Sequence, residues 1–110
     1  MLNLNTQKIY LYREPINISK SFEGLSALVQ SSFPGELYTG AYFVFLNRNY
    51  KSIKLLAWDG DGYAIYYKRL EKGKFVINSN GKCCLTRREF LMLFEGIHSI
   101  HLDKRYKLKK

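Results

Sequence analysis

Two carboxylates stand two residues apart in Trp58-Asp59-Gly60-Asp61-Gly62, and four cations, Lys68, Arg69, Lys72 and Lys74, lie a few residues further on. Close carboxylates are what a two-metal nuclease needs, several of them around ions about 4 Å apart. Only two acids lie near each other here, and no third is evident. Successive Asp-Gly pairs also suit a tight connection between strands, because glycine accepts positive φ and aspartate bonds its own turn. The turn is the favoured reading, and no metal site is expected. His98 and His101, with Asp103 near them, would share a helical face at three-residue spacing. A structural zinc takes four ligands, so surface histidines at a helix end are expected instead. Cys83 and Cys84 are adjacent and have no third cysteine to pair with, which suits neither a disulfide nor zinc spacing. Nothing singles out a base to activate either thiol, and no phosphate-cradling glycine loop is present. The chain is expected to be neither an enzyme nor a cofactor binder.

The cations offer a different chemistry. The 110-residue chain carries a formal charge of +9, unevenly spread. Residues 1–47 balance, whereas residues 48–88 hold ten basic residues against Asp59, Asp61 and Glu71. Such asymmetry points to a polyanionic partner, with nucleic acid the commonest. Lys68, Arg69, Lys72 and Lys74 fall at a strand end, in a turn and on the next strand. Phosphate contact needs only reach and positive charge. Arg48, Lys51 and Lys54 extend this patch if the strands are laid down in sequence order. Arg87 and Arg88 open a helix, a further position from which to reach DNA, although they adjoin a cap whose role is structural. Tyr63, Tyr66 and Tyr67 can stack on bases or pack a sheet, and tyrosine equally suits a protein interface. The bland alternative is that turns are polar and lysines solvate strand edges.

The positioning elements can be read from periodicity. Residues 8–13 alternate as a short strand, broken at Glu14-Pro15. Residues 20–33 read as a helix, with Phe22, Leu25, Val29 and Phe33 on one stripe, Leu28 beside it, Ser19 as cap and Pro34-Gly35 as the stop. Gly24 inside that helix marks close packing against a neighbour. Residues 41–47, 52–58 and 63–70 read as strands, and 74–78 is expected as a further one, joined by short turns that favour an antiparallel meander. Asn78-Ser79-Asn80-Gly81 is a turn cluster, and residues 83–85 are a last short strand. Thr86-Arg87-Arg88-Glu89 has the form of a capping box, with Leu85 and Phe90 as its staple. Phe90, Leu93, Phe94 and Ile97 make the stripe of a second helix that ends near Gly96. The expected class is α+β, an antiparallel meander packed with about two helices, as a single domain over 1–103 with a basic tail over 104–110.

In this order and spacing the chain resembles the TnpB-type accessory protein, the second open reading frame protein, of the IS-sixty-six family of bacterial insertion sequences. The residues that carry the resemblance begin with Lys20, Phe22-Glu23-Gly24-Leu25 and Ala27-Leu28-Val29-Gln30. Next come Phe43-Val44-Phe45, Lys54-Leu55-Leu56 and Trp58-Asp59-Gly60, then Tyr67-Lys68-Arg69-Leu70-Glu71-Lys72-Gly73, Leu85-Thr86-Arg87 and Leu93-Phe94-Glu95-Gly96-Ile97. The chain departs from the family's usual pattern at Ser19, at Ser21 and after Phe75, where Val76-Ile77 stand in place of a tryptophan-bearing segment. The resemblance implies a role in transposition, beside a separate catalytic transposase and another element-encoded accessory protein.

The expected function is therefore a non-catalytic transposition accessory protein that binds element DNA, the transposase or both. Its alternative is a pure protein-interaction adaptor, and a metal-dependent nuclease ranks below both. No apolar run approaches the ~20 residues that cross a bilayer, and the first residues lack the form of a signal peptide. A cytoplasmic protein without membrane contact is expected.

Overall fold

The computed structural model describes residues 8–77 and 83–94. The 78–81 turn cluster, the helix beyond Phe94 with its end at Gly96, His98, His101, Asp103 and the 104–110 tail lie outside the described residues. The elements, in chain order, are β1 (Ile9–Leu11), α1 (Phe22–Ser32), β2 (Tyr42–Leu46), β3 (Ser52–Trp58), β4 (Tyr63–Arg69), β5 (Cys84–Leu85) and α2 (Arg87–Phe94). The strands form one sheet in the order β4-β3-β2-β1-β5.

The architecture is α+β, as expected. β2, β3 and β4 are the antiparallel meander, in register from Tyr42 opposite Ala57 and from Trp58 opposite Tyr63. β1 joins them parallel to β2, which α1 makes possible by carrying the chain back between the two. β5 closes the other side of β1 antiparallel. The sheet is therefore mixed. The further strand expected at 74–78 is not formed over residues 74–77. Phe75 instead folds inward, fully buried, and donates its N–H to the Tyr50 carbonyl at 2.7 Å.

Both faces of the sheet are covered, which explains why every residue of β2 is buried. On one face Leu25 and Val29 of α1 pack with Phe43, Phe45 and Leu56. On the other, Phe90 and Leu93 of α2 pack with Leu11, Val44, Ile53 and Leu55. The capping box of α2 is reciprocal: the Thr86 N–H donates to Glu89 Oε1 at 2.8 Å, and the Glu89 N–H donates to Thr86 Oγ1 at 3.1 Å. Leu85 and Phe90 are buried in one cluster, as a staple requires.

The start of α1 differs from expectation. Ser21, not Ser19, is the N-cap, and it makes no side-chain capping bond. Ser19 is engaged by Asn17, whose Oδ1 accepts from both the Ser19 N–H and its hydroxyl. Phe22, expected in the buried stripe, is 43% exposed. Gly24 does lie close to a neighbour, the Lys20 side chain one turn earlier, where an added Cβ would stand 3.2 Å from Cγ.

Candidate nucleic-acid interface

The β2–β3 turn is built by asparagine. Asn47 Oδ1 accepts from the Lys51 and Ser52 N–H groups, each at 3.1 Å, and Asn49 Oδ1 accepts from Lys51 N–H at 3.0 Å. The Tyr50 N–H donates to the Asn47 carbonyl, and Tyr50 itself sits at φ 59. A left-handed position in a hairpin loop is most often filled by glycine. Tyrosine there costs roughly 1–2 kcal/mol. Its ring packs against the α2-side core and its carbonyl receives Phe75. The Leu70 N–H donates to the Lys51 carbonyl at 2.8 Å. These bonds fasten residues 70–75 to residues 47–51.

The consequence is a basic end. Arg48 and Lys51 come from the turn, Arg69 from the last position of β4, and Lys72 and Lys74 from the loop that folds back. Arg48, Arg69, Lys72 and Lys74 are exposed, and Lys51 is half-buried. Glu71 is the sole acid in these two segments. Gly73, at φ 78, supplies the bend between Lys72 and Lys74.

Two expected members of the patch point elsewhere. Lys54 and Lys68 lie on opposite faces of the sheet, because Lys54 pairs with Tyr67 and Lys68 with Ile53. Lys54 Nζ donates to the Lys20 carbonyl at 2.8 Å, ahead of α1, and lies over the Tyr67 ring. Lys68 Nζ donates to the Phe94 carbonyl at 2.9 Å and lies over the Phe94 ring. A cation near a helix C-terminus is favoured by the helix dipole. Both lysines hold helices to the sheet. Arg87 and Arg88 are exposed in the first turn of α2. That turn comes directly after β5, beside the Ile9 end of β1, at the end of the sheet opposite the basic loops.

The other hairpin turn, 59–62, carries the acids. Asp59 N–H donates to the Gly62 carbonyl at 2.7 Å, and Asp61 N–H to the Asp59 carbonyl at 2.8 Å. Gly60 is at φ 78, whereas Gly62 is not in the left-handed region. The turn is held by backbone bonds and one obligatory glycine. No group of three or more His, Cys, Asp or Glu that could hold a metal occurs among the described residues.

Beside this turn lies an aromatic wall that the sequence does not reveal as a unit. Tyr38 and Tyr63 each meet Trp58 edge-on, at 5.0 and 5.1 Å, and Phe22 stacks on Tyr63 at 5.9 Å. The Tyr38 and Tyr63 hydroxyls are 3.2 Å apart, and this bond, with burial second, raises the Tyr63 pKa. Tyr38 is 59% exposed. Its place in an irregular connection, far from β3 and β4 in sequence, hides it from a periodicity reading. Tyr10 has a raised pKa as well, first through burial and then through the Glu36 carboxylate.

No helix among the described residues is long and apolar enough to cross a membrane. A family described as IS66 Orf2 like protein matches residues 7–104. An uncharacterized protein of Sinorhizobium fredii (strain NGR234), y4jC, is 30% identical over 92 residues, covering 82% of this chain and 79% of that protein. No solved structure matches the chain.

Proposed function

The chain belongs to the IS66 Orf2-like family of insertion-sequence accessory proteins, and from that premise we propose that it serves transposition without catalysis of its own, by contacting DNA phosphates through its basic end. In this reading it acts in the cytoplasm beside the element's transposase and a further accessory protein. The observation that carries it is the fastening of two separate loops so that Arg48, Lys51, Arg69, Lys72 and Lys74 converge with one acid between them. Backbone strain at Tyr50 falls in the same place, where stored strain often marks a working surface. The contact reads backbone and not bases, since charge without a groove-entering element carries no sequence information.

The test is duplex binding by the chain in which Arg48, Arg69, Lys72 and Lys74 are all glutamine. Affinity should fall about equally for every sequence, and the salt slope should flatten by about 0.9 for each phosphate no longer neutralised. A folded variant with the parent's affinity and slope refutes the reading. The aromatic wall of Phe22, Tyr38, Trp58 and Tyr63 favours a second reading, a protein-interaction adaptor. Capture of the transposase with and without nuclease separates the two, because an adaptor keeps its partner after DNA is destroyed.

A further inference from the structure

The two edges of the sheet are unequal. β5, at one edge, is two residues long, a length that blunts an edge. β4, at the other, is seven residues long, and its first five, Tyr63-Ala64-Ile65-Tyr66-Tyr67, carry no charge. The hydrogen-bond register tells which of its groups face outward. Leu70 N–H bonds the Lys51 carbonyl, and Asp59 N–H bonds the Gly62 carbonyl. These are the closely bonded pairs of the antiparallel ladder, so Ala64, Tyr66 and Lys68 turn their backbone groups toward β3. Tyr63, Ile65, Tyr67 and Arg69 therefore turn theirs outward, and no strand among the described residues receives them.

We infer that this edge pairs with the β4 edge of a second copy, antiparallel about a twofold axis at Tyr66. Only this register puts all four outward residues into ladder pairs, about eight hydrogen bonds. Tyr63 then stands opposite Arg69 of the second copy, and Ile65 opposite its Tyr67. Aromatic–cation and aromatic–β-branched pairs are favourable across strands. Ala64 stands opposite Lys68, so no like charges face each other within the strands. The ends select the occupant. Beyond each strand the turn with Asp59 and Asp61 approaches the end of the other copy's β4, where Arg69 and Lys72 flank Glu71 before the chain folds back. A strand with acids at one end and bases at the other is complementary to itself when reversed, as an isologous twofold contact demands. This inference does not depend on DNA binding.

Sedimentation of the full chain over a range of concentrations tests it, and a monomer–dimer equilibrium is expected. Ile65→Pro removes an outward N–H and leaves the bonds to β3 in place, a substitution that edge strands tolerate. It should raise the dimer dissociation constant at least about tenfold with circular dichroism unchanged. Cross-linking fixes the register independently of that variant. With Cys83 and Cys84 both replaced by serine, Tyr66→Cys should oxidise to a disulfide dimer, since a non-bonded pair brings Cα atoms to about 4.5 Å. Ala64→Cys, remote from its own twin, should not. A parent that stays monomeric overturns the inference, even if it binds the transposase through β4. So does a folded Ile65→Pro chain that dimerises as the parent does, or equal cross-linking, or none, at both positions.

Discussion

Two hairpin turns of one sheet do the same topological work with opposite chemistry. The 59–62 turn uses Asp-Gly, and its one demanding position, Gly60, holds glycine. The 47–51 turn uses two asparagines and places tyrosine where glycine would be cheaper. Turn formation accounts for the composition of the first. It does not account for the second, since nothing in that turn or in residues 70–75 needs Arg48, Lys72 or Lys74. Residues beyond what local structure requires are the better guide to function, and they lie at the basic end. The contrast extends to the lysines: Lys68 is tied to α2, while Lys72 is exposed.

That contrast can be broken by substitution. Lys68→Met should destabilise the chain by about 2 kcal/mol, through loss of a charged hydrogen bond to the end of α2. Lys72→Met should stay within about 0.5 kcal/mol, as exposed sites do. Denaturant melts of the pair decide it, and equal losses would show that Lys68 is no more structural than Lys72. At the acidic turn, Gly60→Ala should cost about 1.5 kcal/mol for its left-handed φ. Gly62→Ala, which meets equally open space, should cost less than half of that. Thermal melts that rank them the other way would refute the turn geometry. Thr86→Ala, remote from the basic end, should cost about 1 kcal/mol by loss of the cap, and it calibrates the scale in the same melts.

Smaller effects sharpen the comparison. Asp59→Asn and Asp61→Asn should each change stability by no more than about 0.5 kcal/mol, because the turn's bonds are backbone ones. Calorimetry should find divalent-metal affinity no lower in either variant. The smallest effect concerns Tyr63. Its raised pKa means the folded chain holds the phenol proton longer than the unfolded chain, which begins to release it near pH 10. This contribution to stability is whole below that pH and declines as pH rises through the folded pKa. Tyr38→Phe should lower the Tyr63 pKa in a phenolate absorbance titration.

What the sequence makes legible here is what is local. The β2–β4 hairpins, the capping box and the stop at Pro34-Gly35 each depend on neighbours within a few residues. β1 is recognisable as a strand, but its parallel place beside β2 depends on where α1 returns the chain. Residues 74–77 have strand periodicity, yet the sheet continues past β2 with β1, and Phe75 serves the core better by folding in. Lys54 and Lys68 read as members of a patch because their partners, Lys20 and Phe94, are distant in the chain. The basic end is visible in the sequence as charge, and its convergence requires the Leu70 and Phe75 backbone bonds.

The placement of β1 between β2 and β5 bears on how the chain reaches this state. Its neighbours are β2 and β5, and β5 begins at Cys84, near the far end of the described residues. The β2–β4 meander closes through short loops, so its contacts form early at little entropic cost. β1 and β5 must wait for each other across most of the chain. A nascent chain therefore leaves the outer edge of β1 unpaired until Leu85 has emerged. Protection of amides should develop in the same order, with Phe45 and Leu55 guarded before Ile9.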